Sequence, residues 1–377
     1  MQFIEPPGAL IKESPSPRRR CQTARQVGIG LAIATSLMAG LEGVLRVVGF
    51  EYHRPPPIII WNRAFDREME GSRGMYRFHP YWFWELRPGS RVARCPDERI
   101  NAAGYRGPER SPWPDPGVFR IVVLGDSTTF GLGVCWSETY AALLQRELRG
   151  VEVLNFGVEG FSAFQGEKLL EGRIVGYHPR VVVAVFGAVN EALPALGHDV
   201  DSKFTITSRA NPLAVVWRDR LDDMRIVQLM ERLIGRRLER GIELKAHENW
   251  EKWNRGSRDY VRNQSVASFE RSLERIVRSA RSHDARVVLL SPPRRTIVET
   301  RWPWVNEYSA AIERVASRLN VPFWDVRAAF RAVPGADEKL FLDYYHPNAA
   351  GHQLYARFLA EKIINHLGYE PRVVDAR

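Results

Sequence analysis

Short apolar runs alternate with helical patterns along the chain from residue 118 onward. The runs are four to six residues long and rich in Val, Ile and Leu, which is typical of strands buried on both faces of a parallel sheet. The predicted strands are Phe119–Leu124, Val151–Asn155, Val181–Phe186, Val287–Leu290 and Val321–Val326. The predicted helices cover residues 137–149, 163–176, 264–282, 304–319 and 348–367. This alternation predicts a doubly wound α/β sheet of about five strands over residues 118–368.

Residues 197–262 interrupt the alternation with a charged and mixed sequence. Within them Ile226, Leu229 and Leu233 recur at helical spacing, with arginines between them. A basic amphipathic helix of this kind packs its apolar stripe on the domain as a cap, or lies on a membrane surface. We expect an insertion that caps the main domain.

A long apolar stretch near the N-terminus follows a basic cluster that contains Arg18 and Arg25. Residues 27–48 span 22 positions, and no charged residue precedes Glu42 among them. A helix of about 20 residues crosses a bilayer, and the positive-inside rule would keep the basic end in the cytoplasm. We expect a cytoplasmic tail at 1–26 and an uncleaved transmembrane signal anchor at 27–48. A cleaved signal peptide and a buried core helix are the alternatives.

Residues 49–117 are rich in Pro, Gly, Arg and aromatic residues, and no helical or strand period persists in them. We predict a stalk followed by an extended segment that packs on the main domain. Its aromatic cluster, Tyr81–Trp84, favours packing over a ligand platform. We expect residues 369–377 to form a tail.

Composition excludes some classes of protein. The net charge is +10 and Arg supplies 47 of the 54 basic residues, but they are spread along the chain, so we expect no nucleic-acid partner. The sequence contains no Cys-x-x-Cys pair, so we expect no structural zinc site. Cys95 and Cys135 would lie beyond the membrane, where they either form a disulfide or remain two unpaired small residues.

Candidate catalytic residues follow the predicted strands, where α/β sheets bind ligands. Ser127 follows the first strand on a tight turn, where it either caps a helix or acts as a nucleophile whose own N–H binds an oxyanion. Gly160 follows the second strand and can bring its N–H close to a substrate. The amide of Asn190, after the third, could donate to the same oxyanion.

Asp343 and His346 come in the loop after the last strand. Three residues apart, the carboxylate can turn back and hold the imidazole in one tautomer. With Ser127 they supply a nucleophile, a base and an orienting acid, as acyl transfer through a tetrahedral intermediate requires. This chemistry needs no metal and no organic cofactor, and we expect neither.

These blocks resemble the SGNH (GDSL-type) hydrolase superfamily over residues 118–368. The matching blocks are Gly125-Asp126-Ser127, Asn155-x-Gly157-x-x-Gly160 and Asp343-x-x-His346. The resemblance implies a flavodoxin-like α/β/α sandwich, Ser127 as nucleophile, Gly160 as oxyanion glycine, and Asp343 and His346 as the other triad members. The leader and the sequence NAAGYRG at 101–107 also resemble membrane-anchored bacterial members.

The third block departs from the family pattern Gly-x-Asn-Asp. Aligned on Gly187 without a gap, Val189 falls on the oxyanion Asn. A shift of one residue restores Asn190 and puts Glu191 on the Asp. Both alignments stay open, and the loss of one such donor costs about 10²–10³ in rate.

The expected protein is a single-pass, membrane-anchored serine esterase with an extracytoplasmic catalytic domain. Its expected substrate is a carboxylic ester such as an O-acetyl group on an envelope glycan. One alternative is a polysaccharide O-acetyltransferase in which a sugar hydroxyl replaces water at the same triad. Another is a non-catalytic glycan-binding module with a relict site. The sequence leaves the natural substrate and the oligomeric state open.

Overall fold

The computed structural model describes residues 17–52, 74–79, 81–195, 199–202, 221, 223–367 and 369. The strands are β1 Tyr76–His79, β2 Phe83–Leu86, β3 Arg91–Val92, β4 Cys95–Arg99, β5 Phe119–Gly125, β6 Val151–Gly157, β7 Val181–Val185, β8 Arg286–Ser291 and β9 Phe323–Asp325. The helices are α1 Pro17–Val47, α2 Ser127–Phe130, α3 Tyr140–Glu147, α4 Ala163–Gly172, α5 Arg225–Asn254, α6 Val266–Arg281, α7 Thr296–Arg301, α8 Asn306–Leu319, α9 Val326–Arg331, α10 Ala336–Lys339 and α11 Ala349–His366. Short 3-10 helices lie at Trp136–Glu138, Ile174–Tyr177 and Pro303–Val305.

Strands β5 to β9 form one parallel sheet in the order β6-β5-β7-β8-β9. This is the doubly wound, flavodoxin-like order, and it confirms the predicted fold class. Strand β5 pairs with β6 on one side and with β7 on the other, so successive strands are added on opposite sides of β5. Loops that leave β5 and its neighbours at their carboxyl ends therefore meet at the switch point of the sheet.

The sheet separates two hydrophobic cores. Ile121 and Val123 of β5 face the core that includes residues of α3, α9 and α11. Val122 and Leu124, which point the other way, face the core that includes residues of α4, α6 and α8. The helices thus cover both faces of the sheet, because most strand side chains on either face are apolar and buried.

Two antiparallel hairpins, β1–β2 and β3–β4, pack against the second of these cores. They lie within residues 49–117, where the sequence predicts no regular structure. Phe83 and Arg94, at or next to the two turns, have φ of 68° and 66°, a conformation that such residues rarely adopt. The turns therefore carry no Gly or Asn signal that would reveal them. Residues 53–73 of the predicted stalk lie outside the described residues.

Cys95 and Cys135 are joined by a disulfide, with their Cα atoms 5.7 Å apart. This decides between the paired and unpaired alternatives that the sequence leaves open. The bond ties β4 to the loop that follows α2.

Helix α1 contains a 23-residue stretch, Arg25–Val47, that is long and apolar enough to cross a membrane. None of the most apolar 18-residue part of this stretch is buried in the protein. A signal sequence near an N-terminus has a similar length and composition. The end of α1 does contact the main domain. The Glu42 carboxylate accepts the N–H groups of Arg225 and Ile226, at 3.1 and 2.9 Å, and so caps the start of α5.

Helix α5 lies in the predicted insertion and includes Ile226, Leu229 and Leu233, whose spacing predicts a helix there. Ile226 is buried, but Met230 and Leu233 are more than half exposed. At the other end Trp253 stacks on Trp302 with ring centroids 4.9 Å apart. Residues 203–220 of the insertion lie outside the described residues.

Candidate active site

The nucleophile candidate stands at a tight strand-to-helix turn. Strand β5 ends at Gly125, and Asp126 caps α2 by accepting the N–H and the hydroxyl of Thr128, at 2.8 and 2.7 Å. Ser127 is therefore the first residue of α2. Its N–H has no acceptor among the described residues, as expected for an orphan donor at a helix start.

Strand β6 supports this turn from the side. A side-chain carbon at Gly157 would lie 2.1 Å from the backbone nitrogen of Phe130, so only glycine allows this approach. Asn155 donates from Nδ2 to the carbonyl of Thr129 at 2.8 Å and accepts the N–H of Gly157 at 2.9 Å. The second sequence block thus holds α2 against β6.

A hydrogen-bond chain joins the three residues predicted to form the triad. His346 Nε2 lies 2.8 Å from Ser127 Oγ, and His346 Nδ1 lies 2.6 Å from Asp343 Oδ2. His346 is only 2% exposed. With Asp343 on Nδ1, the imidazole can present an unprotonated Nε2 to the serine hydroxyl.

Asp343 is held as an anion. Burial alone would raise the pKa of its carboxyl, but the hydrogen bond with His346 and the N–H groups of Tyr345 and His346 outweigh burial and lower the pKa below its usual value. Both N–H groups reach Asp343 Oδ1 at 2.9 Å. The carboxylate is therefore fixed on three sides.

Gly160 occupies a β-turn at the end of β6. The N–H of Phe161 donates to the carbonyl of Val158 at 3.1 Å, and Gly160 has φ of 74°. Turns with this conformation at the third residue are of type II and favour glycine there. The N–H of Gly160 has no acceptor in the described part of the chain. Ser127 and Gly160 follow β5 and β6, which pair as far as Gly125 and Gly157. The unsatisfied N–H groups of Ser127 and Gly160 therefore lie at the same edge of the sheet.

The third block brings Asn190 to the site, whereas Val189 packs in the hydrophobic core. Asn190 Nδ2 donates to Asp126 Oδ2 at 2.9 Å and to the carbonyl of Phe161 at 3.2 Å. Both amide hydrogens thus have acceptors. The predicted role of Asn190 as a third oxyanion donor stays a prediction and requires one of these bonds to be exchanged.

Three further carboxyl groups, those of Asp126, Glu159 and Glu191, are buried near the turns that hold Ser127 and Gly160. Burial raises the pKa of Asp126. Burial also raises the pKa of Glu159 to about 7. For Glu191, burial and the nearby Asp126 raise the pKa to about 8. Near neutral pH protonation is therefore favoured much more for Glu191 than for Asp343.

Comparison with known families adds to this geometry. Residues 123–354 match the model of the GDSL-like lipase/acylhydrolase family. The chain belongs to the GDSL-like lipase/acylhydrolase family. It is accordingly an SGNH-type ester hydrolase, as the sequence blocks predict. No curated protein matches the chain.

Several solved structures are similar to this acylhydrolase. A lipase/acylhydrolase from Enterococcus faecalis is 22% identical, with a TM-score of 0.43, over 67% of this chain and 98% of its own. A putative lipolytic protein of the G-D-S-L family from Desulfitobacterium hafniense is 15% identical, with a TM-score of 0.40, over 64% and 98%. The acetyl xylan esterase AlAXEase is 16% identical, with a TM-score of 0.42, over 65% and 99%. The family match, rather than any of these structures, carries the assignment.

Sequence reasoning missed contacts that this acylhydrolase makes from outside the matched range. Trp84 and Tyr76 hydrogen-bond to Glu159, next to Gly160. Arg106 hydrogen-bonds to the carbonyls of Phe130 and Gly131, which follow Ser127. The only sequence signals were the aromatic cluster at 81–84 and the motif at 101–107.

Proposed function

We propose that this acylhydrolase is a serine esterase that uses Ser127, His346 and Asp343 in an acyl-enzyme mechanism. His346 Nε2 takes the proton of Ser127 Oγ as that oxygen bonds to the acyl carbon. The N–H groups of Ser127 and Gly160 stabilise the oxyanion of the tetrahedral intermediate. Asp343 stabilises the imidazolium that forms.

The intermediate then collapses as the bond to the leaving oxygen breaks, and His346 gives its proton to that alcohol. Water enters and loses a proton to His346 as its oxygen attacks the acyl carbon. The second intermediate releases the carboxylic acid, and Ser127 regains its proton from His346. Each proton removed is returned, so the cycle needs only ester and water.

The observation that carries this proposal is the unbroken hydrogen-bond chain from Ser127 Oγ through His346 to Asp343, with distances of 2.8 and 2.6 Å. The two unsatisfied N–H groups beside it supply the complementary charge stabilisation. A relict site would have no requirement for this geometry, so we favour an active enzyme over a glycan-binding module.

For the substrate we propose O-acetyl groups on an envelope glycan, reached by a catalytic domain outside the cytoplasmic membrane. The apolar stretch of α1 and the basic cluster at the start of that helix support this location, and the disulfide between Cys95 and Cys135 suits an oxidising compartment. The resemblance to membrane-anchored bacterial members supports the substrate class.

The test compares full-length wild type with Ser127→Ala in detergent. We expect wild type to react with a fluorophosphonate probe and to hydrolyse p-nitrophenyl acetate. We expect Ser127→Ala to lose both activities, because no other residue supplies the nucleophile. Acetylated glycan is then offered with and without an unacetylated acceptor, and the products are identified by mass spectrometry.

Free acetate as the product supports the esterase. Acetyl transfer to the acceptor instead would assign the alternative acetyltransferase, with a sugar hydroxyl in place of water. A folded wild type that neither labels nor turns over would refute both and favour the binding module.

A further inference from the structure

The peptide that joins Glu159 to Gly160 is held by a residue far away in sequence. Its carbonyl oxygen, on Glu159, accepts a hydrogen bond from the indole Nε1 of Trp84 at 3.0 Å. Trp84 lies in β2, within the hairpin segment that precedes the catalytic domain, and is 7% exposed. The N–H at the other end of this same peptide is that of Gly160.

This contact fixes the direction of the Gly160 N–H. A trans peptide is planar, so its carbonyl and its N–H point in opposite directions and turn together. A donor that holds the oxygen on one side therefore aims the N–H to the other side. Acceptance of a hydrogen bond by the carbonyl also polarises the peptide and strengthens the N–H as a donor.

The peptide has an alternative orientation that the contact opposes. It is the central peptide of the Val158–Phe161 turn, and β-turns of types I and II differ by roughly half a rotation of that peptide. In the other orientation the Gly160 N–H would point away from its present direction. The indole of Trp84 would then lose its acceptor in a buried site, at the cost of an unsatisfied donor.

Two further contacts restrain the same turn. The hydroxyl of Tyr76, in β1, donates to the buried carboxyl group of Glu159. The ring of Trp84 meets the ring of Phe161 edge to face, with centroids 5.7 Å apart. The hairpin thus holds the turn through the carbonyl of Glu159, the side chain of Glu159 and the ring of Phe161.

We propose that Trp84 is a positioning residue that sets the orientation of the oxyanion-binding peptide, with Tyr76 supporting it through Glu159. The inference rests on the proposed role of Gly160 as an oxyanion donor. It assigns a part in the reaction to a segment outside the family-matched residues 123–354. Loss of the indole N–H leaves Ser127, His346 and Asp343 in place but frees the peptide to rotate.

The experiment compares full-length Trp84→Phe with Trp82→Phe. Trp82 is a matched control, because it lies beside the same hairpin strand, is 5% exposed, and its indole N–H has no acceptor among the described residues. For Trp84→Phe we expect kcat on p-nitrophenyl acetate to fall about 10- to 100-fold, a part of the loss that a missing oxyanion donor causes. KM should stay within about threefold, because the Gly160 N–H stabilises the transition state more than the bound substrate. We expect Trp82→Phe to keep kcat.

Tyr76→Phe provides a second test that leaves every indole in place, with Tyr105→Phe as its control. Tyr105 is a buried tyrosine of the same segment whose hydroxyl donates to the Pro108 carbonyl instead. We expect Tyr76→Phe to lower kcat by about three- to tenfold, a smaller effect than that of Trp84→Phe because it acts through a side chain. Circular dichroism and active-site titration give the folded, competent fraction of each variant.

Equal kcat in Trp84→Phe and Trp82→Phe, per folded site, would overturn the inference. If Trp84→Phe does not fold, Tyr76→Phe decides, and a kcat equal to that of Tyr105→Phe overturns it. These failures differ from a failure of the proposed function, in which wild type itself shows no turnover that depends on Ser127.

Discussion

At the scale of single residues, hydrogen bonding decides which carboxyl groups near Ser127 stay ionised. Asp343 receives the imidazole and two backbone N–H groups, so its pKa falls despite burial. Glu191 also receives backbone hydrogen bonds, among them the N–H of Ala163 on one oxygen, but it has the Asp126 carboxyl nearby instead of an imidazole. Burial therefore dominates at Glu191 and raises its pKa to about 8. The same chemical group thus serves as an anion at one position and tends to stay neutral at the other.

Glu191→Gln should stabilise the protein increasingly as pH rises. The folded pKa of Glu191, about 8, lies above its ordinary value of 4.5, so burial carries no ionisation penalty below about pH 4.5. The penalty grows between these two values and is complete above about pH 8. Glutamine is neutral throughout and can still accept the N–H of Ala163. We expect the thermal midpoint of the variant, relative to wild type, to increase by several degrees from pH 5 to pH 9.

Differential scanning fluorimetry across this range makes the measurement, with Glu313→Gln, an exposed glutamate of α8, as the control. A midpoint difference for Glu191→Gln that does not change with pH would contradict the raised pKa.

At the scale of elements, the segment that precedes the sheet holds the turn that follows Ser127. Arg106, fully buried, donates from Nη1 to the carbonyls of Phe130 and Gly131, both at 2.8 Å. It donates from Nη2 to the carbonyl of Val134 at 2.7 Å and pairs with the Glu98 carboxylate at 2.6 Å. One guanidinium thus satisfies several carbonyl groups after α2 while its charge is neutralised.

Arg106→Lys should destabilise the protein by about 3–5 kcal/mol, because an ammonium cannot reproduce the planar fork and leaves Glu98 and the carbonyl groups poorly paired. Urea denaturation gives the free energy of unfolding. Arg99→Lys is the control, since Arg99 lies exposed in β4 next to Glu98 and donates only to the carbonyl of Gly89 among the contacts resolved for it. A loss for Arg106→Lys no larger than that of Arg99→Lys would show that the Arg106 contacts contribute little.

The strands of the sheet could be predicted from sequence because both of their faces are buried, which produces continuous apolar runs. The predicted run Val151–Asn155 and strand β6 begin at the same residue. The hairpins could not be predicted, since their strands are short and Phe83 and Arg94 adopt turn conformations without a turn-forming residue type.

The same distinction applies to the site. Ser127 was predictable because it directly follows a strand, and Asp343 and His346 because they lie three residues apart. The structure places this pair after α10 rather than directly after the last strand. The bond of Asn190 to Asp126 and that of Trp84 to Glu159 join residues 64 and 75 positions apart. Contacts of this kind depend on how elements pack, and no local pattern encodes them.

At the scale of the whole molecule, the apolar helix is attached to the domain rather than merely preceding it. Glu42 caps α5, and Arg46 donates to the carbonyl of Asp223 at 3.1 Å. The proposed anchor would therefore hold the catalytic domain close to the membrane in a preferred orientation.

The proposed topology predicts the reactivity of the three cysteines in whole cells. We expect Cys95 and Cys135 to react with a membrane-impermeant maleimide only after reduction, because they form a disulfide outside the cytoplasm. Cys21 should react only after the cells are permeabilised. Gel shifts with a mass-tagged maleimide measure both. The variant Cys21→Ser identifies the cytoplasmic signal, and labelling of Cys95 without reduction would contradict the assignment.

The hairpin contact to the Gly160 turn has a consequence for how such proteins diversify. Residues 123–354 would be inherited as a unit if recombination followed the family boundary. A chimera joined at residue 118 would then receive a complete triad but a foreign hairpin in place of Trp84. Such an exchange would remove the Trp84 contact together with Arg106 and the disulfide partner Cys95, so the two segments are expected to evolve together.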